Sequence, residues 1–163
     1  SDALGVAIGL HEYSRNTDII RMAHYAQTVN VIGCIKTTKT EAFFDATALP
    51  LMLYRHHYGS IPIAVEGNHA AAALDVAAAW TADRKEITLA VVNPNRDSKV
   101  LEFKLDRIKP QAQGTKWTIA GDDPKVRNDE KNQRIKIVEG PAQWQNRLSL
   151  APLSITLLRF PVE

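Results

Sequence analysis

Residues Ile19–Ile32 read IIRMAHYAQTVNVI, and the fold turns on how this stretch is taken. Ile19, Ile20, Met22, Val29, Val31 and Ile32 are apolar, whereas His24, Tyr25, Gln27, Thr28 and Asn30 interrupt them. The spacing predicts a mostly buried strand over Ile19–Gln27 with polar residues at its far end. On its N-terminal side, Leu4, Ala7, Ile8 and Leu10 predict a helix from Asp2 to about Tyr13, with Ser1 or Asp2 capping its free N–H groups. On the other side, Thr37–Thr40 reads as a solvated loop. Glu41–Tyr58 then reads as a helix that Pro50 kinks or restarts and that Gly59 stops.

Helix–strand–helix cannot stand alone, because one strand without a neighbour has nothing to replace water on its backbone groups. A mostly apolar strand between helices has the grain of a parallel α/β sheet. Its partner strands are therefore expected from another chain or from sequence ahead of Ser1. The helical pattern starting at Asp2 reads as an element cut from something longer.

Past Gly59 the hydrophobic period changes to two. Candidate strands are Ile61–Val65, Ala73–Thr81, Glu86–Asn93, Val100–Asp106, Lys116–Ile119, Arg134–Val138 and Leu148–Phe160, the last in two pieces around Pro152. Turn chemistry separates them at Ala82-Asp83-Arg84, Asn93-Pro94-Asn95-Arg96-Asp97 and Gly121-Asp122-Asp123-Pro124. Residues 1–59 thus read as a piece of an α/β fold, and residues 60–163 as an antiparallel β-sandwich.

The chain has 163 residues, 45% of them hydrophobic and 23% charged, with 20 Lys and Arg against 18 Asp and Glu. A net charge of +2 gives no electrostatic footprint for nucleic acid or an anionic membrane. The single cysteine, Cys34, excludes an internal disulfide and a thiolate zinc cluster, and reads as a small buried hydrophobe. No apolar run is long enough to form a membrane-spanning helix.

G-x-S-x-G, a phosphate-cradling glycine loop and H-E-x-x-H are all absent from the sequence. His56 and His57 are adjacent, so a helix would point them about 100° apart rather than at one metal; they read as helix-end groups that complement the dipole. His11 and His69 read as surface or boundary residues. Asp2, Glu12, Asp18, Glu41 and Asp45 are the acids of the α/β-like part. None falls at the end of the expected strand, so they read as solvated rather than as a catalytic pair. Gln27 and Asn30 do fall there. In a barrel of alternating strands and helices that end faces the active site, and an amide can donate to and accept from a sugar hydroxyl at once. Capping a backbone turn is the other use of such amides, and spacing alone favours it.

DALGVAIGLHEY (2–13) and DIIRMAHYAQTVNVIGCIKTTKTEAFFDATALPLMLYRHHYG (18–59) resemble the α-L-arabinofuranosidases of glycoside hydrolase family 51. ITLAVVNPNRDSKVLEF (87–103) and LSLAPLSITLLRF (148–160) resemble that family's C-terminal β-domain more weakly. The most specific match is A-Q-x-V-N, carried here by Ala26, Gln27, Val29 and Asn30.

The resemblance implies the last βα portion of a (β/α)8 TIM barrel, followed by an antiparallel jelly-roll-like β-sandwich. Asp2–Tyr13 would be the seventh helix, Ile19–Gln27 the eighth strand and Glu41–Tyr58 the eighth helix. It implies a retaining glycosidase acting on terminal α-L-arabinofuranosyl groups, with both catalytic glutamates upstream of Ser1. Gln27 would be the substrate-binding residue carried over, while Asn30 would position the loop after the strand. No cofactor or metal is implied. The partners implied are the N-terminal part of the same enzyme, an arabinose-containing oligo- or polysaccharide, and further copies in a homo-oligomer. A non-catalytic carbohydrate-binding or oligomerisation module is the alternative, with Trp80, Trp117 and Trp144 as available stacking platforms; Trp80 and Trp117, lying in strands, are expected in the core. The compartment is left open.

Overall fold

A computed structural model describes residues 1–25, 27–67 and 69–163. In chain order the elements are α1 (Asp2–Arg15), β1 (Ile35–Thr37), β2 (Ala42–Phe44), α2 (Ala48–His57) and β3 (Ile61–Ile63). A short 3-10 turn (His69–Ala72) leads into β4 (Asp75–Trp80), β5 (Glu86–Asn93), β6 (Lys99–Glu102) and β7 (Gln113–Ala120). The chain ends with β8 (Ile137–Gln143), β9 (Arg147–Leu150) and β10 (Ser154–Pro161).

The period-two pattern becomes one six-stranded antiparallel sheet in the order β3-β4-β5-β10-β7-β8. β5 and β10 are buried on both faces, which is why they read as nearly continuous apolar runs. Register divides their side chains between two cores. Ala90 opposes Leu157, and with Val92, Ile155, Trp117 and Ile119 it packs under Ala7 of α1 and Leu49, Leu53 and Tyr54 of α2. On the other face Ile87, Leu89, Val91, Leu158 and Phe160 pack with Leu101, Leu148 and Leu150 of the β6–β9 ribbon.

The result is three layers: helices, sheet and ribbon. The expected sandwich is therefore lopsided. Among the described residues its second sheet has two strands, and the opposite face of the large sheet is taken by helices rather than solvent. Six of the seven β-segments expected past Gly59 fall on strands; the other, expected at Arg134–Val138, is displaced to Ile137–Gln143, and Pro152 does separate β9 from β10.

Three expectations for the first half need correction. Residues 20–25 form no ladder, and Ile19 and Met22 are 74% and 75% exposed rather than buried. A strand needs a neighbour for its N–H and C=O groups, and among the described residues none pairs with 20–25. Ala26 lies outside the described residues. Next, the helix expected from Glu41 starts at Ala48. Ala42–Phe44 instead pairs antiparallel with Ile35–Thr37, and the Thr-Lys run turns the hairpin. Pro50 sits in the first turn of α2, where a helix needs no N–H, so it marks a start and no kink follows.

Finally, Gly59 is not a left-handed helix cap. α2 is closed by Tyr58 in an extended conformation, its N–H bonded to the Tyr54 carbonyl. Gly59 is needed because β4 passes so close: a Cβ there would lie 2.4 Å from the Trp80 carbonyl oxygen.

Two glycine substitutions separate these causes. Gly59→Ala drives a methyl into backbone and is expected to cost about 1–3 kcal/mol. Gly5→Ala in α1 meets nothing within 4 Å and should gain about 0.5–1 kcal/mol from helix propensity. Urea titration of the two variants should move the midpoints in opposite directions.

Candidate functional site

The segment that joins α1 to α2 folds on itself. Thr28 C=O accepts from Ile35 N–H at 3.1 Å, and Asn30 N–H donates to Ile35 C=O at 2.8 Å, giving a parallel bridge between Val29 and Ile35. Both ends of the Asn30 amide are used. Its Nδ2 donates to Thr37 Oγ1 at 2.8 Å, and its Oδ1 accepts from Thr37 N–H at 2.9 Å. Lys36 Nζ donates to Val31 C=O at 2.9 Å and lies 3.5 Å from the Asp45 carboxylate. Asn30 thus fixes the loop to the β1–β2 hairpin, in agreement with the structural role expected of it.

Gln27 lies immediately before this knot, exposed and with φ at 36°. Asn30 and Val31 are also in the left-handed region, at 56° and 43°. Asparagine adopts that conformation readily, but a β-branched valine does so only under constraint, and strain of this kind costs of order 1–3 kcal/mol and gathers at functional sites. The chain therefore spends conformational energy around the one residue expected to meet a sugar. His24 and Tyr25 are exposed beside it, but there is no strand here to alternate their directions.

A second polar centre lies around His11, which reads in the sequence as a surface or boundary residue. His11 is 0% exposed. Its Nδ1 bonds the Asp75 carboxylate at the start of β4, and its Nε2 bonds the Tyr54 hydroxyl of α2. Arg15 closes the cluster, donating to Asp75 Oδ1 at 2.7 Å and to the Val76 carbonyl at 3.0 Å; Glu12 holds Arg15 at 3.1 Å.

Burial holds the His11 imidazole below its ordinary value, although Asp75 pulls the other way. Burial would raise Asp75, but hydrogen bonds from His11 and Arg15 outweigh it and hold the carboxyl low. Burial, with Tyr58 and Asp75 nearby, pushes the Tyr54 phenol well up, and burial pushes Tyr58 to about 12. These directions fix the proton positions: a neutral His11 donates from Nδ1 to ionised Asp75 and accepts at Nε2 from the Tyr54 O–H. The spacing of His11 from Ala3 and Ala7, one helical turn apart on the buried face of α1, was the signal available in the sequence.

The tryptophans are spent on packing. Trp117 is buried, stacks on His57 at 4.1 Å and donates its indole N–H to Glu139 at 2.8 Å. Trp144 sits edge-on between Phe103 and Phe160, and Trp80 packs against the ribbon-side core. His56 and His57 end α2 as expected, and Cys34 is half-buried.

The chain is thus a mostly antiparallel β-domain carrying two docked helices and the exposed segment that joins them. Residues 1–154 match the family model described as alpha-L-arabinofuranosidase C-terminal domain, and the chain belongs to that family. The kinship read from A-Q-x-V-N and its surroundings is thereby established.

Alpha-L-arabinofuranosidase C of Emericella nidulans is 30% identical over 98% of this chain and 34% of its own length. The probable alpha-L-arabinofuranosidase C of Aspergillus terreus is 31% identical with the same coverage. The chain accordingly spans about a third of the length of the curated relatives it matches. Among solved structures, the Thermotoga maritima alpha-L-arabinofuranosidase in its arabinose complex superposes with a TM-score of 0.81 at 22% identity, over 96% of this chain and 37% of that one. The arabinose-bound MgGH51 alpha-L-arabinofuranosidase gives 0.86 at 15% identity, over 99% and 27%. These likenesses show the fold.

Asn30→Ala removes two hydrogen bonds that hold the loop, each worth about 0.5–1.5 kcal/mol. Amide exchange at residues 28–37 is expected to rise roughly tenfold, with β5 and β10 unchanged. Exchange measured site by site checks this.

Proposed function

We propose that the chain is the C-terminal portion of a retaining α-L-arabinofuranosidase. In this reading residues 1–59 complete a (β/α)8 catalytic barrel whose other strands lie outside this sequence, and residues 60–163 form the β-domain docked against it. The substrates would be arabinan, arabinoxylan or arabino-oligosaccharides bearing terminal α-L-arabinofuranosyl groups.

The observation that carries the reading is the exposure of the joining segment. Ile19, Met22, Val31 and Ile32 are 61–81% exposed, and Phe44 and Val29 add to them. A run of large apolar side chains beside backbone without a ladder is a strand-and-loop awaiting neighbours, and a barrel supplies neighbours on both sides. Family membership supports the same assignment.

In that barrel Gln27 would stand at the C-terminal end of the last strand, where TIM-barrel sites are built. Its amide would donate to one hydroxyl of the arabinose and accept from another. Two glutamates outside this chain would perform the chemistry, about 5–5.5 Å apart. One attacks the anomeric carbon while the other protonates the departing oxygen, and then returns the favour as base for water. Gln27 takes no proton; it holds the ring where the attack is in line.

The experiment is to assemble this chain with the remainder of the enzyme and measure hydrolysis of an aryl α-L-arabinofuranoside. Gln27→Ala should lower kcat/KM on the order of 100-fold, the penalty for a displacement of about 1 Å at a reacting centre, with the circular dichroism spectrum retained. A near-wild-type value would remove Gln27 from the site. The chain alone should show no turnover, and any that survived purification to homogeneity would overturn the placement of both glutamates.

A further inference from the structure

Every hydrogen bond described for residues 19–44 is made to another residue of 16–47, so none ties this segment to the β-sheet directly. Its placement is set where it leaves α1 and where it enters α2. Those two helices converge on one carboxylate of the sheet: Asp75 of β4, reached by His11 and Arg15 from α1, with Tyr54 of α2 on the far nitrogen of His11; Arg15 also donates to the Val76 carbonyl. The tyrosine and histidine of this relay are buried.

We propose that Asp75, His11 and Tyr54 form a pH-sensitive clamp through which the β-domain positions the Gln27-bearing segment. Asp75, His11 and Tyr54 are positioning residues in this scheme and touch no substrate. The bearing on substrate rests on the reading of Gln27 above; the clamp itself does not.

The charged and titratable groups around His11 are few. α1 contributes Arg15 and, bonded to it, Glu12; β4 contributes Asp75; Tyr54 and the adjoining Tyr58 come from the α2 side. With Nδ1–H on the carboxylate and Nε2 accepting from Tyr54, the neutral ring uses both nitrogens. Adding a proton at Nε2 turns that acceptor into a donor facing the Tyr54 hydroxyl, whose own proton then has no described acceptor.

The sign follows. Because the clamped ring holds its proton less readily than a free one, the clamp's contribution is complete above the ordinary histidine value of 6.5 and is lost progressively as pH falls below it. Asp75 is held below its ordinary 3.8, so it weakens the clamp only in much stronger acid. The interval from pH 7.5 to 5 therefore separates His11 from Asp75; His57, also held low by burial at the end of α2, falls in the same interval, so the His11 variant is what assigns the effect.

The test is amide exchange of residues 16–47 in the assembled enzyme at pH 7.5 and 5.0, corrected for intrinsic rates. In wild type the opening constant of this segment should rise severalfold, with a ceiling of roughly 30-fold for a group freed to titrate near 6.5, while the central strands β5 and β10 hold. His11→Gln cannot titrate, so its opening should be raised at both pH values and the ratio should fall to about one. Tyr54→Phe should raise opening while keeping the pH ratio. His24→Gln, exposed within the segment, should leave the ratio as in wild type.

A flat wild-type profile, or a His11→Gln ratio equal to wild type, overturns the clamp. Should His11→Gln fail to fold, Tyr54→Phe with unchanged exchange at 16–47 overturns it as well. If the exchange results hold while Gln27→Ala retains full activity, the clamp stands and the substrate reading alone falls.

Discussion

The last strand of the chain lies at the middle of the sheet. β10 pairs with β5 on one side and β7 on the other, and its side chains enter both cores: Ile155 and Leu157 beneath the helices, Leu158 and Phe160 beneath the ribbon. Until Ser154–Pro161 is seated, the strands before it form two separate groups, β3-β4-β5 and β7-β8, each with an open edge. The helices then lack the surface that Leu49 and Leu53 cover. A leucine buried like Leu157, at 0% exposure, contributes about 1.5–3 kcal/mol, and its neighbours lose their packing with it. The three-layer arrangement is therefore a consequence of where one strand goes.

That arrangement also explains why the two halves of the chain differ in completeness. The sheet satisfies its own backbone in six strands, and its two faces are covered. The joining segment does not: it makes a bridge at Val29–Ile35 and a hairpin of three-residue strands, and leaves Ile19, Met22, Val31 and Ile32 in water. The α1–α2 pair packs on the sheet, while the segment between the two helices is held by its own short-range bonds.

The sequence was most legible where period and turn chemistry agreed. Glu86–Asn93 was read to the residue because its alternation is bounded by Asp83-Arg84 and Asn93-Pro94, and Pro152 split the last two strands because it cannot donate to a ladder. It was least legible where partners decide. Ile19–Gln27 has the composition of a buried strand, yet burial needs neighbours that this sequence does not contain. Ala42–Phe44 looked helical in the company of Ala46–Tyr58, but pairing with Ile35–Thr37 outweighed that local preference. His11 could have been seen as one turn beyond Ala3 and Ala7; its partners Tyr54 and Asp75, 43 and 64 residues away, could not. As for the site, Gln27 is singled out by its place at an expected strand end and by a four-residue pattern shared with a family, and the second is needed because a lone amide at a strand end is chemically ambiguous.

The polar relay answers a question that packing alone leaves open, namely which rotation of α1 on the sheet is adopted. Ala3 and Ala7 are small, and Leu4, Ile8 and Leu10 beside them make apolar contacts without direction, so packing by itself sets the rotation less sharply than a hydrogen bond does. His11 supplies such a bond. A shift of one residue swings the imidazole about 100° away and strands Asp75 or Tyr54 in a dry interface, at about 1–3 kcal/mol for each buried group left unpaired. The correct docking gains little from the relay in net energy, because removing these groups from water costs nearly what their bonds return. Its effect is on the alternatives, which it penalises. A segment whose described hydrogen bonds never reach the sheet then inherits a defined position from the helix that precedes it.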